Sequence, residues 1–257
     1  MLRRNFMKTV GLLAAVPAYK SLAANGAMPA SVEKEIYEWR VYSLKGDGAA
    51  LDDFYAKTLI PAYNRLGITV GAFAPEQAGE TQQRYYLFIY PNIERYHVVK
   101  LKLWDDKDFR RAAQPFYDSS AAAPVYGEFV SYLCEAFDTV PRMLKPDKSR
   151  TLFEWRNYRS PNEEANQRKV KMFNSGEIGV FNAVGIHSVC YGEVLAGPRM
   201  PSLVYLTWHK DRATRDEAWK KFGAHPEWQR MRNLEEYKYT ATDNQVVLLT
   251  PLSYSQI

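Results

Sequence analysis

Tyr37-Glu38-Trp39-Arg40-Val41-Tyr42 returns 116 residues later as Phe153-Glu154-Trp155-Arg156-Asn157-Tyr158. Three further landmarks follow in the same order. Gly67-Ile68 returns as Gly185-Ile186 at a spacing of 118, residues 86–90 are matched by residues 204–208 at 118, and Asp108-Phe109-Arg110-Arg111 parallels Glu227-Trp228-Gln229-Arg230 at 119. Four landmarks in one order, with almost constant spacing, mark a tandem duplication. The stretch 141–149 is polar, is twice interrupted by proline and reads as the joint.

Each half carries one order of elements. Residues 36–44 alternate and are rich in β-formers, which predicts a strand. In residues 49–66 the apolar positions Leu51, Phe54, Tyr55, Leu59, Ala62 and Leu66 recur every three or four residues, which predicts a helix between Asp47-Gly48 and Gly67, kinked at Pro61. Two strands follow at 68–73 and 84–90, then helical pieces to about residue 117 and a strand at 128–137. The second half repeats this. Its helix is expected to start at Ser160-Pro161-Asn162-Glu163 with Ser160 as cap. Strands are expected at 186–195, 203–209 and 245–250, with helices from 211 and over 226–237.

The order βαββαβ, twice, is the ferredoxin-like split unit, an α+β arrangement with helices on one sheet face. The bare face must be covered. Two tandem ferredoxin-like repeats packed sheet-to-sheet as an α+β barrel satisfy that need. The expected boundaries are a signal peptide at 1–23, a linker at 24–35, repeat 1 at 36–140, a linker at 141–150 and repeat 2 at 151–257.

The opening motif of each half, the Gly-Ile after the first helix, the aromatic third strand and Pro226-Glu227-Trp228-Gln229 resemble NIPSNAP-family proteins over residues 36–137 and 152–250. The resemblance implies the dimeric α+β barrel fold, here as a tandem pair. The wider fold group includes cofactor-independent oxygenases, haem-degrading enzymes and stress-responsive barrel proteins. It brings no settled reaction with it. Lys107-Asp108-Phe109 stands in the first half where Pro-Glu-Trp stands in the second.

The chain has 257 residues, 46% hydrophobic and 25% charged, which is globular composition. The formal charge is +5, from 34 basic and 29 acidic residues. Arg3, Arg4, Lys8 and Lys20 precede Ala24, where no acid occurs, so the remainder balances 30 basic against 29 acidic residues. That +1 lacks the global basic excess that nucleic-acid binding usually shows. Arg3-Arg4-Asn5-Phe6-Met7-Lys8, a short apolar run over 9–18 and Ser21-Leu22-Ala23 resemble a twin-arginine export signal. The run is too short to span a bilayer, and no later segment reaches 18 apolar residues. The expected location is a bacterial periplasm or the cell exterior, with no membrane span in the mature chain. Twin-arginine export moves folded proteins, which permits a cofactor loaded in the cytoplasm without requiring one; the cofactor stays unknown.

Alternation along the first strand puts Tyr37, Trp39 and Val41 on one face and Glu38, Arg40 and Tyr42 on the other. The apolar set suits helices, which would aim the Glu-Arg-Tyr set, with Glu154, Arg156 and Tyr158, into the barrel. Two readings stay open. The charges pair and fix register, or they line a polar pocket in which Arg40, Arg156, Tyr42, Tyr158 and Tyr191 bind a small anionic or hydroxylated ligand and Glu38, Glu154 or His187 moves a proton. His187, Val189 and Tyr191 are expected on one strand face, with Thr69 in place of the histidine in the first half. His209 is expected to be exposed, His97 to lie on a solvated helix face and His225 to start a helix. Lys100-Leu-Lys102 and Arg168-Lys-Val-Lys171 read as ordinary basic helix faces. Cys134 and Cys190 are either buried hydrophobes or a disulfide. No metal-binding spacing, P-loop, GxGxxG or GxSxG occurs.

The function these residues suggest is an exported small-molecule-binding protein, catalytic or not, whose chemistry would be acid–base or oxygenase-like without a cofactor. The alternative is a non-catalytic interaction or assembly module with a packed interior. The sequence leaves open whether the chain forms a homo-oligomer.

Overall fold

A computed structural model describes residues 32–77, 79 and 82–257. The expected export signal at 1–23 and the linker residues before 32 lie outside the described residues. The first half runs β1 (Ile36–Leu44), α1 (Ala49–Phe54), a π-helical turn (Tyr55–Leu59), α2 (Ile60–Arg65), β2 (Thr69–Pro75), β3 (Gln83–Tyr90), α3 (Ile93–Asp105), α4 (Lys107–Ala122) and β4 (Tyr126–Ala136). The second half runs β5 (Leu152–Arg159), α5 (Glu163–Met172), a second π-helical turn (Phe173–Glu177), α6 (Ile178–Val184), β6 (His187–Ala196), β7 (Ser202–His209), α7 (Arg212–Ala224), α8 (Pro226–Arg232), a 3-10 turn (Glu235–Tyr237) and β8 (Asp243–Pro251). Among these described residues no helix is long and apolar enough to cross a membrane.

Local chemistry accounts for the helix boundaries. The Asp47 carboxylate accepts from the Ala49 N–H at 2.9 Å, ahead of α1. The break anticipated at Pro61 takes the form of the π turn just before it, where the Ile60 N–H reaches back to the Tyr55 carbonyl. Pro61 follows inside the same continuous helical run, and the π turn before it accommodates the N–H that proline lacks. Gly67 and Gly185, at φ 77° and 87°, end the two helical runs in the left-handed conformation that glycine adopts freely. Asn162, not Ser160, caps α5, accepting from the Ala165 N–H at 2.8 Å. The Ser160 hydroxyl instead donates to the Thr240 carbonyl at 2.6 Å.

The eight strands form one closed antiparallel barrel in the order β1-β3-β2-β8-β5-β7-β6-β4. The halves meet edge to edge as well as face to face. Phe73–Pro75 of β2 pair with Leu249–Pro251 of β8, and Leu133–Ala136 of β4 pair with residues 192–196 of β6. Each joint occupies backbone donors and acceptors that an open sheet edge would expose. At the second joint the backbones approach so closely that a Cβ on Gly192 would lie 2.6 Å from Cys134 Cβ. Strand pairing shifts the expected match between the third strands by one residue. Arg40 faces Tyr86 and Arg156 faces Tyr205, so the third strands correspond at a spacing of 119, with Tyr86 matching Tyr205.

The barrel interior is apolar, opposite to the orientation expected from the sequence. Tyr37, Trp39, Val41, Leu87, Cys134, Phe153, Trp155, Val189, Cys190 and Leu206 pack there into a single cluster drawn from both halves. A barrel of eight strands is just wide enough for its own side chains to fill. Trp39 and Trp155 are among its largest members, and burying one such ring removes on the order of 200 Å² from water, worth up to about 5 kcal/mol. Glu38, Arg40 and Tyr42 therefore face outward, under the helices of their own half. Cys134 and Cys190 are both buried and free, and burial pushes both thiols up from their usual pKa.

Candidate ligand-binding site

Beneath α1–α4, β1 presents Glu38, Arg40 and Tyr42. Arg40 Nε donates to Glu38 Oε1 at 2.9 Å, and Nη2 donates to Glu38 Oε2 and to the Tyr63 hydroxyl, each at 3.1 Å. None of these bonds uses Nη1. Glu38 also accepts from Tyr90 OH and Lys100 Nζ, each at 2.8 Å. The Arg40 guanidinium lies 4.2 Å from the centre of the Phe88 ring, within cation–π range. Burial alone would raise the Glu38 pKa, but Arg40 and Lys100 hold it down at about 2. At neutral pH it is a fixed, fully partnered counter-charge.

A cavity of about 270 Å³ opens beside this pair. Arg40, Tyr42 and Lys100 line it together with Leu51, Phe54, Leu59, Tyr63, Leu103, Trp104, Phe116, Tyr117, Tyr126 and Phe129. Glu38 is not part of the lining. The cavity therefore presents two cations, with one carboxylate behind them, and walls of aromatic and leucine side chains. Tyr126 and Phe129 lie 4.9 and 4.8 Å from the Tyr42 ring, edge-on and stacked respectively. Lys100 is about one-third exposed, and its pKa is lowered by burial and by Arg40, against the pull of Glu38. The volume is close to the small end of ligand pockets, about 300–1,000 Å³.

The second half builds the same pair with more partners around its carboxylate. Glu154 is fully buried and takes Arg156 Nε and Nη2 at 2.9 and 2.6 Å, Arg215 Nε and Nη2 at 3.0 and 2.6 Å, and Trp219 Nε1 at 2.7 Å. Burial opposes its ionisation, and His209, Arg215 and Arg156 overcome that, so its pKa falls well below the carboxylate range. Arg156 Nη1 donates to Tyr158 OH at 2.7 Å, and the indole of Trp219 lies 3.8 Å from the guanidinium carbon. Arg156 thus has a partner on each of its three nitrogens and an indole against its face, and its side chain is about as accessible as that of Arg40. A groove of about 560 Å³, lined by Lys169, Met172, Trp228, Arg232, Tyr237 and others, runs nearby without Arg156 in its lining.

The structure brings together Glu38, Arg40 and Tyr42 on one side and Glu154, Arg156 and Tyr158 on the other, but the two sets are not in a shared lumen. His187 joins neither. It is exposed at the start of β6 and stacks on Trp208 at 4.2 Å. A bulge between Ser188 and Cys190 breaks the expected alternation, so Val189 points into the barrel while Tyr191 lies under the helices, bonded to Ser188 at 2.7 Å. His209, expected at the surface, is buried with its Nε2 3.6 Å from Glu154. His225 caps α8 through Nδ1, and His97 is exposed on α3. Among the described residues no cluster of three His, Cys, Asp or Glu side chains could hold a metal ion.

Sequence reading missed Lys100 and Lys169, taken as solvated. Both lie on buried stripes: Val99 and Leu103 flank the first, and Ala165, Asn166 and Met172 flank the second. Helical periodicity placed them inward, had the polar type of the residue not been allowed to outweigh its position. The aromatic lining from α4, Phe116 and Tyr117, carried no signal beyond composition.

An eight-stranded antiparallel barrel jacketed by helices, with a small cationic and aromatic cavity under one jacket, defines an α+β barrel protein. The NIPSNAP family model matches residues 37–122 and 153–256, and the chain belongs to that family. A "putative monooxygenase" of Fusobacterium nucleatum subsp. nucleatum shares the fold with a TM-score of 0.56 at 12% identity, over 85% of this chain and 93% of its own. A second protein so named, from Lactobacillus acidophilus, does so with a TM-score of 0.55 at 10% identity, over 85% and 94%. An uncharacterized NIPSNAP-like domain protein from Burkholderia xenovorans aligns at 21% identity with a TM-score of 0.38, over 42% of this chain and 90% of its own. No curated protein matches the chain in sequence.

Proposed function

We propose that this chain binds a small aromatic molecule carrying a carboxylate or phenolic group in the cavity of its first half. One observation carries this: Arg40 and Lys100 supply an excess positive charge to a cavity otherwise lined by aromatic rings and leucines. A buried anion is costly without charged partners, and flat rings favour stacked or edge-on aromatic partners. In its catalytic form the chemistry is acid–base or cofactor-free oxygenase-like. The oxygenase form has fold likeness alone behind it.

The proposal includes two further parts. The halves descend from a duplicated ferredoxin-like βαββαβ unit, in support of which the strand orders β4-β1-β3-β2 and β8-β5-β7-β6 correspond. The chain is exported through its Arg3-Arg4 leader and works in the periplasm or outside the cell. A second reading, a non-catalytic interaction module, is favoured by the filled barrel interior.

Fluorescence titration with 2-naphthoate separates the two. Binding by the unmodified chain, weakened at least tenfold (about 1.4 kcal/mol) by Arg40→Ala and within about twofold of unchanged in Arg156→Ala, supports the cavity. No binding, or equal binding by Arg40→Ala, rejects it in favour of the interaction module.

A further inference from the structure

The two halves enclose the same room, and in the second an ion pair occupies part of it, beside the groove that Lys169 and Met172 line. The π turns Tyr55–Leu59 and Phe173–Glu177 correspond at a spacing of 118, which sets Leu51 against Lys169 and Leu59 against Glu177. In the second half Lys169 and Glu177 are buried and joined at 2.8 Å. The Lys169 ammonium lies 4.7 Å from the centre of the Phe173 ring and 5.7 Å from that of Tyr158. The matching rings in the first half are Tyr55 and Tyr42, joined by a hydroxyl–hydroxyl bond of 2.9 Å. There Leu51 and Leu59 are too short to cross the space, and both line the cavity. A second exchange acts the same way: at a spacing of 119, from the helix caps Asn92 and Asp211, Lys100 takes the place of the Trp219 indole that lies against Arg156.

We propose that Leu51 and Leu59 are the specificity-determining residues of the site: the ligand lies where the second half holds its own Lys169–Glu177 pair, so each chain takes one ligand and the leucines set its size. This rests on the reading that the first-half cavity binds a ligand. The second half, with its interior charges paired and an indole against its arginine, serves as scaffold.

The physical reason is packing. A buried ion pair is tolerated when each charge is matched and further contacts surround it, as in the second half. Two leucines in the same frame leave apolar volume that an aromatic ring can fill. Shortening one enlarges the volume, and a methylene's worth of pocket changes discrimination by about tenfold or more.

The test is titration of the full chain with 2-naphthoate and with the larger anthracene-2-carboxylate, each variant first checked for native Tm. Leu59→Ala is expected to shift preference toward the tricyclic acid by about tenfold, and Leu51→Lys/Leu59→Glu to abolish binding of both. If the double variant does not fold, Leu59→Phe, which stays apolar and takes up the space, is expected to weaken both acids. Unchanged preference in Leu59→Ala, or full affinity in a folded filling variant, overturns the assignment. If those results come with a wild-type chain that binds and an Arg40→Ala variant that does not, the cavity stands and the role of the leucines alone falls. A wild-type chain that binds neither acid sinks both.

Discussion

The indole of Trp155 stands edge-on to that of Trp39, with ring centroids 6.3 Å apart and planes at 74°. One ring comes from each half, and the contact plugs the barrel where a shared cavity would have to be. Trp39→Ala or Trp155→Ala is therefore expected to destabilise the whole chain by about 3–5 kcal/mol, read by denaturant unfolding. The loss should come in one transition reporting both halves. Separate transitions for the halves would contradict a common core.

That contact also shows what the sequence could and could not say. The spacing of the Glu-Trp-Arg motifs gave the order of elements and the location of the strands. It could not give their orientation, because both faces of β1 are buried and alternation between two buried faces has no solvent side to fix it. Polar character suggested a lumen for Glu38 and Arg40. What decides their side is the supply of partners: Tyr63 for Arg40 and Lys100 for Glu38, both on helices, and Arg215 and Trp219 for Glu154 in the other half, are remote in sequence from the groups they serve. The bulge that separates Val189 from Tyr191 likewise leaves no mark in composition.

Acid should loosen the fold through Glu38. Its folded pKa of about 2 lies below the ordinary value of 4.5. The stabilisation is complete above pH 4.5 and disappears as pH falls through 4.5 toward 2, and it amounts to on the order of 3 kcal/mol at neutral pH. Glu154 acts in the same direction. Unfolding free energies measured from pH 7 to pH 3 should hold steady to about pH 5 and then fall. Glu38→Gln should flatten the fall. An acid slope identical in the variant would remove Glu38 as its source.

The Lys169–Glu177 pair offers a cycle. Lys169→Met leaves a carboxylate that is 2% exposed without its partner, which costs about 3–5 kcal/mol. Lys169→Met/Glu177→Leu should recover most of that, because the remaining charge is gone. Equal loss in the single and double variants would show that the ammonium stabilises through the surrounding rings and not through the carboxylate.

Cys134 and Cys190 are buried free thiols. The native chain should react slowly with a thiol reagent, and the chain unfolded without reductant should yield both thiols at once. Recovery of neither would establish a disulfide.

Native mass spectrometry of the chain purified from its own host, with no ligand added, tests the cavity most directly. The expected result is a population carrying one small-molecule adduct per chain, absent from Arg40→Ala prepared identically. A bare wild-type chain, or an adduct that Arg40→Ala retains in full, would contradict a ligand site beside Arg40.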